Sequence, residues 1–178
     1  MQFKVSSVFA ALLATQQAAA AAVTPGQIIT SLEAVDALAK DTTGDFDKLS
    51  PTNFFTNGPR GVRGLRDTFI RVQDITDALQ LDPPKQEFSE ADQQSICKAL
   101  NEDAKIQETL LTSISNAHGT LEYTPFTQPT AAILRSLEGA DDNLHFSLVD
   151  LVPTCGETVK TSYSKLNLKF DEVLSKYA

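Results

Sequence analysis

The sequence predicts an all-α fold, an antiparallel bundle of about five amphipathic helices. Two observations lead to this prediction. Apolar residues recur at spacings of three and four through almost the whole chain after residue 22, and no segment alternates between apolar and polar residues for long. The chain has 178 residues, a length that fits one domain with a sizeable core.

Residues 1–22 have the organisation of a secretory signal peptide. Lys4 precedes an apolar run from Val5 to Ala14, and small residues then offer cleavage positions near 18–22. This run is shorter than the ~20 apolar residues that span a bilayer, and we expect no transmembrane segment later in the chain. Cleavage would leave residues 23–178 as a single secreted, extracellular helical-bundle domain.

The first two helices are predicted on either side of a long connection. Thr24-Pro25 has the residue types of an N-cap and a first-turn proline, and the stripe of the second helix ends before Pro83-Pro84. The connection, residues 41–60, is longer than the 2–8 residues usual in bundles. It contains three phenylalanines, Phe46, Phe54 and Phe55. They form a lid or adhesive rim, or they pack against the bundle.

The last three helices follow from their start and stop residues. Ser89–Asp92 resembles a capping box, and the helix that it opens is expected to fray around residues 116–119. A fourth helix is predicted to open near Thr127–Pro129 and to end at Pro153. The fifth is predicted to begin with Thr154-x-x-Glu157 as a capping box.

The two cysteines are expected to form a disulfide. In an antiparallel bundle, Cys97 near the start of the third helix and Cys155 at the start of the fifth lie at the same end, and an exported chain meets an oxidising compartment. Closing this loop would stabilise the fold by about 4 kcal/mol. A zinc site would need His118 or His145, which the topology places away from that end. A catalytic thiol would need a free cysteine beside a histidine base.

The whole mature chain resembles a known group of proteins. The similarity runs from "TPGQIITSLEAVDALAKD" through "TAAILRSLEGADDNLHFSLVDLVPTCGETV" to the C-terminus. This pattern of five helices, with a signal peptide and a Thr-Cys opening of the last helix, is similar to the fungal hydrophobic-surface-binding protein A family, related to the lipid-binding domains of cell-wall galactomannoproteins. The resemblance implies a secreted or wall-associated bundle that adheres to hydrophobic surfaces or encloses a fatty-acid-like lipid. The absence of a Ser/Thr-rich stalk and of a GPI tail favours a freely released protein.

Several residues could serve lipid binding. Gln107 and Ser162 place hydrogen-bond donors near inward-facing stripes, where a lipid carboxylate would need them, although they could equally be ordinary stripe-edge residues. Arg60, Arg63 and Arg66 are predicted at the start of the second helix, where they could contact an anion or could be solvated. A long-chain fatty acid lying lengthwise would contact apolar residues of four helices, which would form a dry core if the helices packed fully. These are Leu65, Phe69, Val72, Leu111, Ile114, Leu137, Leu144, Leu166 and Phe170.

Other classes of function are disfavoured. The formal net charge is −8, whereas nucleic-acid binding needs a basic footprint. No hydrolase, metalloprotease or phosphate-loop motif occurs, and we expect no catalytic residues, metal or cofactor. The carboxylate pairs Glu102-Asp103 and Asp141-Asp142 are expected on solvated helix faces. The predicted partners are a long-chain fatty acid or other lipid, hydrophobic surfaces and, as the alternative function, a secreted hydrolase recruited to such a surface.

Overall fold

The computed structural model describes residues 22–177, so the predicted signal peptide lies almost entirely outside the described residues. It consists of five α-helices, which confirms the predicted fold class. They are α1 (Pro25–Asp47), α2 (Phe54–Leu81), α3 (Glu90–Leu121), α4 (Thr127–Val149) and α5 (Gly156–Lys176). None of these five helices is long and apolar enough to cross a membrane.

The helices form a closed ring around one apolar core. Helix α1 packs on α2 and α3, α2 also packs on α4, and α5 joins α4 to α3. Contact across the ring, between α2 and α3, is slight, and among neighbouring helices the α4–α5 contact is the sparsest. The core therefore runs along the ring axis, and α4 and α5 share the least backbone contact around it.

Helix α1 begins as predicted but ends later. The backbone N–H of Gln27 donates to the Thr24 hydroxyl (3.3 Å), and the backbone N–H of Thr24 donates to Gln27 Oε1 (2.8 Å). Together they complete a capping box. The helix then continues to Asp47, with Thr42 Oγ1 donating to a carbonyl one turn back and Phe46 only 2% exposed. Phe46 belongs to the core, so its prediction as part of a lid is wrong.

The predicted long connection is also wrong, because α2 begins at Phe54 and only residues 48–53 join it to α1. Two glycines near the start of α2 serve close packing. A Cβ at Gly58 would lie 2.7 Å from the Phe126 ring, and one at Gly61 would lie 3.0 Å from the Phe46 ring. These glycines therefore let two aromatic rings reach the surface of α2.

Three further helix boundaries differ from the sequence predictions. Helix α4 ends at Val149 and not at Pro153. Helix α3 continues past residues 116–119 to Leu121. Just before this segment, Tyr177 donates its hydroxyl to the Ile114 carbonyl (2.9 Å). Helix α5 starts at Gly156 without the predicted capping box. Thr154 instead donates its hydroxyl to Gln93 Oε1 (3.0 Å), because this tertiary hydrogen bond is available where the chain crosses the start of α3.

The disulfide prediction is confirmed. Cys97 and Cys155 are bonded, with their Cα atoms 6.4 Å apart and a sequence separation of 58. The bond ties the start of α5 to the first turns of α3. On the chain-entropy estimate, a loop of this size stabilises the fold by about 4 kcal/mol. We call this the disulfide end of the bundle.

Candidate functional site

Most of the predicted lipid-lining residues lie together in the closed core. Phe69 is half-buried between α2 and α4, and Ser162 is half-buried and donates to Asn101 Oδ1. The other members of the predicted set are at most 1% exposed. They are Leu65, Val72, Gln107, Leu111, Ile114, Leu137, Leu144, Leu166 and Phe170. The set is thus contiguous, and in this closed form it fills the ring axis with its own side chains.

Three open grooves mark the surface. One of about 310 Å³ lies at the disulfide end between Phe88 and Leu151, one of about 290 Å³ lies between α1 and α2, and one of about 270 Å³ lies between α2 and α4. These volumes sit at the lower limit of ligand pockets, which span about 300–1,000 Å³. Phe69 is the one predicted lining residue that borders any of the three.

The most distinctive feature of the core is a set of buried acids. Asp103 and Asp141 are both 0% exposed, so their prediction on solvated faces is wrong. Gln107 Nε2 lies 3.1 Å from Asp103 Oδ2 and 3.0 Å from Asp141 Oδ1, and it donates to both. Tyr163 directs its hydroxyl at Asp103 Oδ2 (3.4 Å), and the Asp36 carboxyl lies close enough to raise the pKa of Asp103. We call these five residues the core acid cluster.

The cluster is held in a protonated form by its surroundings. Burial raises the pKa of Asp141 to about 8, and the charge of Asp142 adds to this, whereas the Gln107 hydrogen bond opposes it. Burial also raises the pKa of Asp103 well above its usual range, with further contributions from the charges of Asp141 and Asp36. At neutral pH the cluster therefore retains protons and can donate as well as accept hydrogen bonds.

The sequence contains a pattern that could have located this cluster. Asp141 stands on the inward stripe of α4 between Leu137 and Leu144, and Asp103 is one turn before Gln107 on α3. Helical spacing therefore places both carboxyls inside. The general rule that aspartates are almost never fully buried unless paired favoured the opposite conclusion.

The α4–α5 seam extends the cluster toward the surface. The His145 ring stacks on Tyr163 with centroids 4.5 Å apart, and Asn167 Nδ2 donates to Asp142 Oδ1 (2.8 Å). Burial lowers the pKa of His145, which favours the neutral imidazole. Several buried polar atoms of the seam have no hydrogen-bond partner among residues 22–177. They are Gln107 Oε1, Asp141 Oδ2, His145 Nε2 and Asn167 Oδ1.

These groups do not make a metal site. Within the part of the chain that the structure describes, no group of three or more His, Cys, Asp or Glu side chains is arranged to hold a metal ion. The seam is therefore a partly buried polar region beside an apolar core, with chemistry suited to hydrogen bonding.

The three arginines predicted to contact an anion do not lie in the first turn of α2. Arg60, Arg63 and Arg66 are exposed, but α2 begins six residues before Arg60, so the free amide groups of its first turn belong to other residues. The three arginines make no ion pair with other described residues. Their prediction at the start of the helix is wrong, and any anion contact would depend on their side chains alone.

Aromatic side chains mark the end of the bundle opposite the disulfide. Phe55 is 72% exposed and stacks on the half-buried Phe54 with ring centroids 4.1 Å apart. Tyr123, in the α3–α4 connection, is 88% exposed, and Phe126 contacts the first turns of α2. We call Phe54, Phe55, Tyr123 and Phe126 the aromatic end.

Comparison with known proteins identifies the fold. No protein-family model matches the sequence, and no curated protein matches it. Among solved structures, the chain is similar to AfMp4p, a fungal cell-wall mannoprotein, in complex with palmitic acid, with a TM-score of 0.66 and 14% sequence identity. The match covers 87% of this chain and 100% of that one. The likeness shows a related helical fold, and membership of the hydrophobic-surface-binding family stays a prediction.

Proposed function

We propose that this protein is a secreted, non-catalytic lipid-binding protein that takes a long alkyl chain along the axis of its helical ring. The observation that carries the proposal is the fold shared with AfMp4p, which holds palmitic acid. The Cys97–Cys155 disulfide supports export, because such bonds persist in oxidising compartments.

The architecture of the ring suits an alkyl ligand. Its helices have 21 to 32 residues, or about 30–48 Å at 1.5 Å per residue. Apolar side chains line this axis from Leu121 near the aromatic end to Ile96 near the disulfide end. A long-chain lipid therefore fits lengthwise within the bundle if neighbouring helices part.

The α4–α5 seam is the natural place for the helices to part. Its contacts are the sparsest in the ring, and its buried polar atoms leave hydrogen-bonding capacity unused. Burying a dozen methylene groups contributes roughly 10 kcal/mol. Part of this gain offsets the opening of the seam and the ordering of the ligand, and the remainder supports micromolar or tighter binding.

The proposal can be tested on the protein as purified. Mass spectrometry of its organic extract should find a long-chain lipid, and the delipidated protein should melt at a temperature that rises and saturates with added long-chain fatty acid, by mass action. An empty extract together with an unchanged melting temperature at saturating fatty acid would contradict lipid binding.

Adhesion to hydrophobic surfaces is a second candidate, favoured by the aromatic end. Phe55 and Tyr123 expose large rings together, which isolated domains seldom do without a partner surface. Replacing both with serine should weaken adsorption to an apolar resin. The matched control is Leu81→Ser, since Leu81 is 79% exposed at the disulfide end and should leave adsorption unchanged. Equal adsorption of all variants would contradict this role. Recruitment of a secreted hydrolase remains a prediction from the family resemblance.

A further inference from the structure

The α4–α5 seam carries carboxyl groups at its rim and at its floor, and Lys160 of α5 is the cation that acts on His145 there. Burial raises the pKa of Glu138 on α4, and repulsion from Asp171 and Asp142 raises it further. Asp142 in turn accepts a hydrogen bond from Asn167 of α5. Arg135 is the nearby cation that opposes this repulsion at Glu138. The seam thus gathers carboxyl groups from two helices above the core acid cluster.

Beneath this rim, two buried side chains have oxygen atoms without a hydrogen-bond partner among the described residues. Gln107 is 1% exposed, and because its Nε2 contacts both Asp103 and Asp141, its amide is aimed into the cluster. The oxygen of the same amide has no partner among the described residues, and neither does Asp141 Oδ2. Leaving buried polar atoms unpaired destabilises a fold, so a ligand that pairs them would bind favourably.

We propose that the seam binds the polar end of a long-chain amine, with the ammonium group among Gln107, Asp141 and Asp142 and the alkyl chain in the core. This inference rests on the proposed lipid-binding function and adds the class of head group. An ammonium carries three donors and no acceptor, which complements Gln107 Oε1 and the negative rim. Its positive charge favours release of the Asp141 proton to solvent, after which Asp141 Oδ2 is an acceptor. An ionised fatty acid has no hydrogen-bond donor at its head group, and its negative charge is repelled by the negative rim.

An alcohol of the same chain length occupies an intermediate position. Its hydroxyl group donates one hydrogen bond and has no charge, so it can pair one open oxygen without gaining from the negative rim. The three head groups therefore separate the contribution of the alkyl chain from that of the seam.

The experiment compares dodecylamine, dodecanol and dodecanoate at pH 7, each titrated below its aggregation concentration into delipidated protein and followed by calorimetry. The amine should bind at least about tenfold more tightly than the carboxylate, with the alcohol between them. Equal affinity for all three would overturn the head-group inference while leaving lipid binding in place. No binding by any of them would overturn the proposed function as well.

A pair of variants separates the seam from the overall charge of the protein. Glu138→Gln with Asp142→Asn should weaken amine binding about tenfold and should weaken dodecanol binding much less. The matched control is Asp41→Asn with Glu122→Gln, which removes the same charge from exposed positions on α1 and at the end of α3. Equal weakening by both double variants would show general electrostatic attraction and would overturn the inference. Circular dichroism verifies that each variant keeps its helices.

Discussion

Replacing Asp141 with asparagine should change how the stability of the protein depends on pH. Burial raises the pKa of this carboxyl from 3.8 to about 8 in the folded protein. The folded state therefore holds a proton that the unfolded state releases between these values. Stability that depends on this proton is present below about pH 4 and is lost as the pH rises toward 8.

The size of the effect follows from the linkage relation. One additional proton in the folded state makes the free energy of unfolding fall by about 1.4 kcal/mol for each pH unit. Between pH 5 and pH 7 the Asp141 contribution is thus on the order of 3 kcal/mol. Asparagine keeps an oxygen for the Gln107 hydrogen bond and has nothing to ionise. The variant should therefore match the wild type below about pH 4 and exceed its stability by a margin that grows from pH 5 to pH 8.

The assay is urea unfolding of both proteins at pH 5, 6, 7 and 8, compared as a difference at each pH. His145 contributes with the opposite sign, because burial lowers its pKa, but it is present in both proteins and cancels in the difference. Asp41→Asn, at an exposed position of α1, is the control for the loss of one charge. A difference that stays constant from pH 5 to pH 8 would refute the buried, protonated state of Asp141.

Three other outcomes follow from the packing. Replacing Cys97 and Cys155 with alanine should lower the free energy of unfolding by about 4 kcal/mol, and the unreduced wild type should show no titratable thiol; two free thiols per chain would contradict the bond. Gly58→Ala should destabilise the fold by ~1–3 kcal/mol, because the new Cβ would meet the Phe126 ring. Gly139→Ala should instead stabilise α4 by ~0.5–1 kcal/mol, because a Cβ there has nothing within 4 Å. Equal shifts of the two variants in thermal unfolding would contradict this packing. Phe170→Ala should cost ~3–5 kcal/mol as a fully buried ring.

The features that sequence patterns predicted well are those set by local or topological rules. Helical spacing identified the inward stripes, and the antiparallel order brought Cys97 to Cys155. The sequence predictions were wrong where tertiary contacts gave a residue a structural role that its local sequence does not indicate. Gly58 resembles a loop residue in sequence, but it makes room for Phe126, and Thr154 hydrogen-bonds Gln93 in place of capping its own helix.

The candidate site was only partly accessible to such reasoning. Gln107 was identified as an inward polar residue, but its partners were assigned to solvent. The stability of buried Asp103 and Asp141 depends on groups from other helices, such as the Tyr163 hydroxyl, and no local pattern reports those neighbours. Whether the apolar axis admits a ligand depends on how easily α4 and α5 separate, a property of packing that the linear pattern does not contain.

The central claim, an alkyl chain enclosed by the helical ring, is tested most directly by the dependence of affinity on chain length. Delipidated protein is titrated with saturated fatty acids of increasing length and followed by native mass spectrometry. Because each buried methylene contributes about 0.8 kcal/mol, we predict one ligand per chain and an affinity that rises roughly three- to fourfold with each added carbon. An affinity independent of chain length, or many lipids bound without saturation, would contradict enclosure within the bundle.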